Sequence, residues 1–406
     1  MSATTPTNRL LAGVTVVDFT RVLAGPYCTR LMADLGARVI KVERPVHGDD
    51  TRAFYLQLEA GRADQSTYFV RFNAGKESIA VDLGHPEARA VVLDLARKAD
   101  VLVENFVPGV MARHGLDYAS VSGANPGIVY CSISGYGQTG PLRDQPAFAH
   151  LINAASGAMD VDRQGDPSPR VAFMQSADAL AGVHAFGLIV SAIHRRSRTG
   201  QGAYLDIAMM QALWSAEDIG IAAVLNGGRI PPGPRAGMII HAIGGRHIAV
   251  QFIGGGPTWD RLREAMGPAS GADDPRYATG DGRREHWVEL RALIGRWLDR
   301  FKTVDEALAA LSAARVPCAP VRSINEALAH EHLEAREGFT NIPHPARDDV
   351  RVTASPYHVD GAPVPARGAA PYRAGEHTRA ILGETLGYPA ARIDALVASG
   401  AVAVPR

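Results

Sequence analysis

The sequence predicts an open α/β fold: a large domain built on a parallel sheet, followed by a smaller α/β domain. Three observations carry that expectation. Short β-branched runs alternate with helical stretches over residues 14–133, glycines and prolines mark the changeovers, and a Gly/Pro-dense segment at 227–237 divides two differently patterned regions. Strand, helix, strand is the parallel crossover unit. Its repetition implies a Rossmann-like open sheet with ligands at the carboxyl ends of the strands.

Residues 14–19 read as a buried strand entered through Gly13, and Gly25-Pro26 opens a helix that runs through Leu35 and stops at Gly36. Residues 39–43 form the next strand. Residues 78–83, 86–98 and 101–103 repeat strand, helix and strand, and a helical piece at 111–114 leads to a strand at 128–133. In the second region 247–252 reads as a strand, with helices at 259–266, 286–300 and 303–314. Residues 341–372 are rich in Pro, Ala and Arg with little periodicity, and helical stretches follow at 378–386 and 391–399. The expected division is therefore 1–225 for the first part of the large domain, 226–335 for the small domain and 336–406 for a segment that returns to the large one.

Lys plus Arg (42) equals Asp plus Glu (42), so no overall field draws the chain to nucleic acid or membrane. The three cysteines, Cys28, Cys131 and Cys318, match no metal or redox spacing and suit a reducing cytoplasm. Residues 1–9 are polar, unlike a signal peptide, and no run reads as long enough to span a membrane. Gly254-Gly255-Gly256-Pro257 lacks the Lys-Ser/Thr of a phosphate loop, and His330-Glu331-His332 has no third ligand, so neither a nucleotide loop nor a metal site is expected.

Asp178 is the most informative residue. Ser176 reads as the N-cap of a helix that ends in basic residues and Gly200, which places Asp178 in the first turn, where free N–H groups favour an ionised carboxylate. On the residues alone this carboxylate compensates the helix dipole. A wider pattern adds to it. Asp18-Phe19-Thr20-Arg21-Val22-Leu23-Ala24-Gly25-Pro26, Val42-Glu43-Arg44-Pro45, Asn73-Ala74-Gly75-Lys76, Glu104-Asn105-Phe106, Gly135-Tyr136-Gly137, Asp274-Pro275-Arg276-Tyr277, Val316-Pro317-Cys318 and Gly375-Glu376-His377-Thr378 stand in one order along the chain. In these blocks the sequence resembles the family III CoA-transferases, a superfamily that includes α-methylacyl-CoA racemase.

The resemblance implies that Asp178 is a covalent nucleophile and that coenzyme A, as acyl-CoA, is a substrate, with no metal. Val22, Leu23 and Ala24 match residues lining the cofactor; Arg44, Asn105, Phe106 and Arg113 match CoA contacts, and Val81 and Leu83 match an adenine-lining strand. Gly84-His85 replaces a lysine that can follow there. The partners implied are an acyl-CoA donor, a free carboxylic acid acceptor and a second copy of the chain in an interlocked homodimer. The alternative activity, racemisation at the α-carbon, needs a histidine where this chain has Phe148, and Ala149 replaces a frequent aspartate. His150, two positions on, would be turned by about 200° on a helix and face away. His184 is likewise expected on another face from Asp178. A CoA-binding protein without catalysis is a third reading, which Asp178 and the glycine turns oppose. The acids handled are expected to depend on the loops 148–153, 227–237 and 251–258, with Arg235 one candidate for a second carboxylate.

Overall fold

The computed structural model describes residues 9–163, 166–217, 220–230, 236–252 and 257–405. The chain forms two compact units. One comprises residues 1–162, 168–230 and 332–406; the other comprises 163–167 and 231–331.

The larger unit is built on a seven-stranded sheet. Six strands are parallel: β1 (Thr15–Asp18), β2 (Arg38–Glu43), β3 (Lys76–Val81), β4 (Val101–Glu104), β5 (Val129–Ser134) and β6 (Ala203–Ala208). Their spatial order is β3-β2-β1-β4-β5-β6, and the short C-terminal strand Val402–Ala403 closes the β3 edge antiparallel. The period of two along each strand explains why both faces are dry. Val16, Val101, Val103, Val129, Cys131 and Ile133 enter one core, while Val17, Ile40, Ile79, Leu102 and Tyr130 enter the other. The first core is covered by helices Ala24–Asp34 and Ser176–Thr199, the second by Ala88–Lys98 and Ala390–Ser399.

Helix Ser176–Thr199 is, by length and composition, apolar enough to cross a membrane, contrary to the expectation that no run is. Here one face of it packs into the first core. Ala177, Ala181, Ala185, Ile189 and Ala192 recur on one buried stripe, and their small side chains bring it close to helix Ala24–Asp34. Gly182 permits a close approach, since a Cβ there would lie 2.5 Å from the carbonyl oxygen of Ala24. Ser176 is the first helical residue rather than the cap. Gln175 occupies the cap without a side-chain bond, and the Ser176 hydroxyl donates instead to Asn153 Oδ1 at 3.4 Å. Gly200 is left-handed at φ +71° and ends the helix, as expected.

The region 341–372 is less irregular than its composition suggests. Phe339–His344 and Arg347–Thr353 pair antiparallel, burying Ile342, Val350 and Val352, with a register shift around Pro343. That proline hides the alternation from a reading by period. The smaller unit has a three-stranded antiparallel sheet, Met238–Ile243, Arg246–Gln251 and Cys318–Pro320, backed by helices Pro257–Met266, Trp287–Leu298 and Val304–Ala313. Its core gathers Trp259, Trp287, Trp297, Ile248, Leu290 and Leu311. Arg235 and the Gly254–Gly256 run lie outside the described residues.

Candidate active site

The strand order reverses between β1 and β4. The chain leaves β1 toward β2 on one side and β4 toward β5 on the other, so a crevice opens beyond their carboxyl ends. The segments that follow these two strands supply much of a cleft lined by Arg21, Val22, Ala24, Asn105, Phe106 and Asp178; Ser134, Gly135, Arg143, Ala147, Phe148 and Met209 complete its walls.

The turn after β1 is held at almost every backbone group. Asp18 Oδ1 accepts the Thr20 N–H at 2.9 Å, and Lys41 Nζ donates to the Thr20 carbonyl at 2.7 Å. The Asn105 amide spans Arg21 from both ends, accepting its N–H and donating to its carbonyl, each at 2.8 Å. Asp49 Oδ1 lies 3.5 Å from the Val22 N–H. Val22 is left-handed at φ +67°, a conformation that costs a β-branched residue about 1–2 kcal/mol. The turn then enters helix Ala24–Asp34 through Leu23, which is buried and, unlike Val22 and Ala24, does not line the cleft.

Two ion pairs lie under this turn. Lys41 Nζ meets Asp49 Oδ2 at 3.0 Å, and Lys76 Nζ meets Asp18 Oδ2 at 3.0 Å, all four side chains being almost wholly buried. Burial would lower the Lys41 pKa, but Asp49, Asp18 and Glu43 outweigh it and keep the ammonium charged. Burial would likewise raise Asp18 and Asp49, yet the lysines and the neighbouring hydroxyl and N–H donors hold both below the usual range.

Asp178 is 9% exposed, and burial pushes its carboxyl up to about 6. The nearby N–H groups of Ala24 and Ala149 favour the ionised form and oppose that rise, as does His150. Ala24 and Ala149 are each the first residue of a helix, Ala24–Asp34 and Ala149–Ala155, so both N–H groups are free of intrahelical partners. Burial thus outweighs the N-terminal donors that alone would favour the ion. A carboxylate of this kind is poised near neutrality rather than fixed as a spectator charge.

The rotation expected of His150 presumes a helix that already includes residue 148, and the helix begins at Ala149. Phe148 is extended (φ −135°, ψ 159°), so the helical rotation from 148 to 150 does not apply, and the histidine comes within electrostatic reach of Asp178. The Tyr68 hydroxyl is buried without a hydrogen-bond partner among the described residues, and the Asp178 charge adds to burial in raising its pKa. His184 faces elsewhere, with Nε2 3.2 Å from Ser215 Oγ. Gly135 allows a wall of the cleft to close, since a Cβ there would lie 2.1 Å from that of Ala147.

The cleft therefore brings together Val22, Ala24, Asn105, Phe106 and Asp178 of the expected residues. Arg44, Val81, Leu83 and Arg113 do not line it. Arg44 pairs with Asp50 at the surface, and Arg113 is exposed on the short helix Val110–Arg113. Val81 is buried in the second core beside partly buried Leu83. Sequence reading passed over Arg21, whose guanidinium stands 5.0 Å from the Phe106 ring centroid, and over Arg143 and the Ala149 N–H. Arg21 stands in the first quoted block, one residue before the expected contacts; backbone donors leave no mark in a sequence.

A doubly wound sheet, a switch-point cleft and a buried carboxylate close to two helix N-termini form the kind of site in which α/β proteins take their ligands. The chain belongs to CoA-transferase family III, whose pattern matches residues 11–378. It is a CoA-transferase, with CoA thioesters and small carboxylic acids as its substrates. It is 34% identical to the succinate–glutarate CoA-transferase of Agrobacterium fabrum over 80% of this chain and 83% of that one. It is 31% identical to the formyl-CoA:oxalate CoA-transferase of Rhodopseudomonas palustris strain HaA2 over 98% and 99%. Identity to the acetyl-CoA:oxalate CoA-transferase of Acetobacter aceti is 34% over 91% and 92%. Among solved structures, a CAIB/BAIF family protein from Brucella suis superposes with a TM-score of 0.79 at 30% identity, covering 93% of this chain and 99% of that one. The protein Rv3272 of Mycobacterium tuberculosis gives 0.79 at 26%, covering 92% and 99%.

Proposed function

We propose that the enzyme moves CoA from an acyl-CoA thioester to a short dicarboxylic acid, with Asp178 as covalent nucleophile. The observation that carries this is the Asp178 carboxyl, buried yet held by the Ala24 and Ala149 N–H groups at the wall of a cleft. In the first step a carboxylate oxygen of Asp178 attacks the thioester carbonyl, the C–S bond breaks and CoA leaves as thiolate. The thiolate then attacks the aspartyl carbonyl of the mixed anhydride, releasing the donor acid and leaving an aspartyl-CoA thioester. The acceptor carboxylate repeats the two steps in reverse, which restores Asp178. Exchanging one carboxylate for another keeps the sequence close to isoenergetic. The Ala24 and Ala149 N–H groups are suited to hold the oxygen on which charge develops during attack at the aspartyl carbonyl.

A dicarboxylic acceptor is supported by the relatives named for oxalate, succinate and glutarate, and by Arg21 and Arg143 in the walls around Asp178. Val22, Leu23, Ala24, Asn105 and Phe106 are assigned to the thiol end of CoA; Arg44, Val81, Leu83 and Arg113 are assigned to its nucleotide end. We further propose a cytoplasmic homodimer of interlocked chains, as in the family the sequence resembles. Exposed Val171, Phe173 and Met174 ahead of the Asp178 helix, and Val183 and Leu188 on it, supply apolar surface for such a contact. Rapid exchange between tagged and untagged subunits would rule out interlocking.

The test of the chemistry is direct. Incubation with acyl-CoA should add a hydroxylamine-sensitive, CoA-sized mass to the peptide carrying Asp178, and Asp178→Ala should lose both adduct and CoA exchange. Turnover above a few per cent in that variant, or deuterium uptake at the α-carbon without exchange between acids, would overturn the assignment.

A further inference from the structure

Ala24 and Asp178 line the same cleft, and the Ala24 N–H can face that carboxyl only if helix Ala24–Asp34 begins where it does; the turn before the helix is left-handed at Val22. The Thr20 carbonyl is the backbone acceptor of this turn that a buried cation holds. Lys41 Nζ, at the level of Asp18 in the neighbouring strand, donates to it at 2.7 Å and is held by Asp49 Oδ2 at 3.0 Å. Asp49 is itself fixed by its neighbours. Its Oδ1 accepts from the Thr51 N–H and hydroxyl at 3.0 and 2.8 Å, and its N–H donates to Glu43 Oε1 at 3.0 Å. Packing closes the other side, since a Cβ on Gly25 would fall 2.2 Å from that of Thr20. Neither Lys41 nor Asp49 lines the cleft.

We propose that Lys41, with Asp49 as its counter-ion, is a positioning residue for CoA transfer: by holding the Thr20 carbonyl it keeps Val22 left-handed and the Ala24 N–H aimed at Asp178. The proposal rests on Asp178 as nucleophile. It gives a role to two charges kept fully buried beneath a wall whose lining they do not form. It also separates aim from binding, because the clamp meets the turn through its backbone, at the Thr20 carbonyl and the Val22 N–H, and contributes no side chain to the cleft lining.

Lys41→Met alone leaves Asp49 buried without its partner and is expected to fold poorly. The informative protein is the double variant Lys41→Met/Asp49→Asn, which removes one charge of each sign and keeps the shapes. The other titratable and charged groups around Asp178 are His150 and Tyr68, with Arg21 and Arg143 in the cleft walls, and all remain. A shift in the titration of Asp178 then reports geometry rather than net charge. The double variant should melt close to wild type and keep its KM for acyl-CoA within about threefold, while kcat falls about tenfold or more. Losing the Ala24 donor should also move the acid limb of the kcat profile upward by about half to one pH unit. Restoring both residues should restore the limb. A folded double variant with wild-type kcat and an unmoved acid limb would overturn the proposal. So would a fall in kcat matched by a lower melting temperature with an unchanged profile, which marks a merely structural pair. Neither result touches the nucleophile, whose own test is Asp178→Ala.

Discussion

Replacing Asp178 by Asn should make the protein more stable relative to wild type as the pH rises. The Asp178 carboxyl titrates near 6 in the folded chain against a reference value of 3.8. Between those values the unfolded state has released its proton while the native state still holds it. Raising the pH therefore lowers stability across the window, and the loss is complete once the native carboxyl has ionised above about pH 7. Roughly two units at about 1.4 kcal/mol each give an upper figure of ~3 kcal/mol, and 1–3 kcal/mol is the range to expect. Asn does not titrate, so the difference between variant and wild type should grow by that amount from pH 4 to pH 7.5. The fixed cost of giving the Ala24 and Ala149 N–H groups a neutral acceptor cancels, because it is the same at both ends. For a unit of this size each kcal/mol moves the melting temperature by about 2 °C, so the gap should widen by roughly 2–6 °C. Paired thermal melts in one buffer series measure it. A gap that is flat or narrows with pH would refute a buried carboxyl of raised pKa, and with it the poised nucleophile.

Two further outcomes follow from the geometry. Gly182→Ala places a methyl 2.5 Å from the Ala24 carbonyl oxygen, a backbone atom that cannot rotate aside, so the two helices must part. CoA exchange should fall at least about tenfold with about 1–3 kcal/mol of destabilisation, and a variant with wild-type exchange would show that the Asp178–Ala24 spacing is not critical. Arg44→Ala and Arg113→Ala should each raise the KM for acyl-CoA more than they lower kcat, whereas an unchanged KM in both would remove them from the nucleotide end of the site.

Much of the larger unit could be read along the chain. The runs at 14–19, 39–43, 78–83, 101–103 and 128–133 all became strands of the main sheet, because a strand buried on both faces carries a mostly apolar, β-branched run even where a buried Asp18 or Lys41 interrupts it. Strand Ala203–Ala208 escaped notice. It is the edge strand, where Tyr204 and Asp206 face solvent and dilute the pattern. The hairpin over 339–353 was masked by Pro343. Asp178, Val22, Ala24, Asn105 and Phe106 were all named from the sequence and meet in one cleft, since segments after strands are short and a switch point gathers them. The sequence by itself therefore determined five of the six parallel strands, the family and the carboxylate. Only the tertiary structure decided what that carboxylate is: burial and two backbone donors from separate helices set its titration, and a lysine 137 residues earlier holds the turn that carries one of them. Such couplings are distances between backbone atoms of remote segments, and a residue's identity does not encode them until the chain has folded.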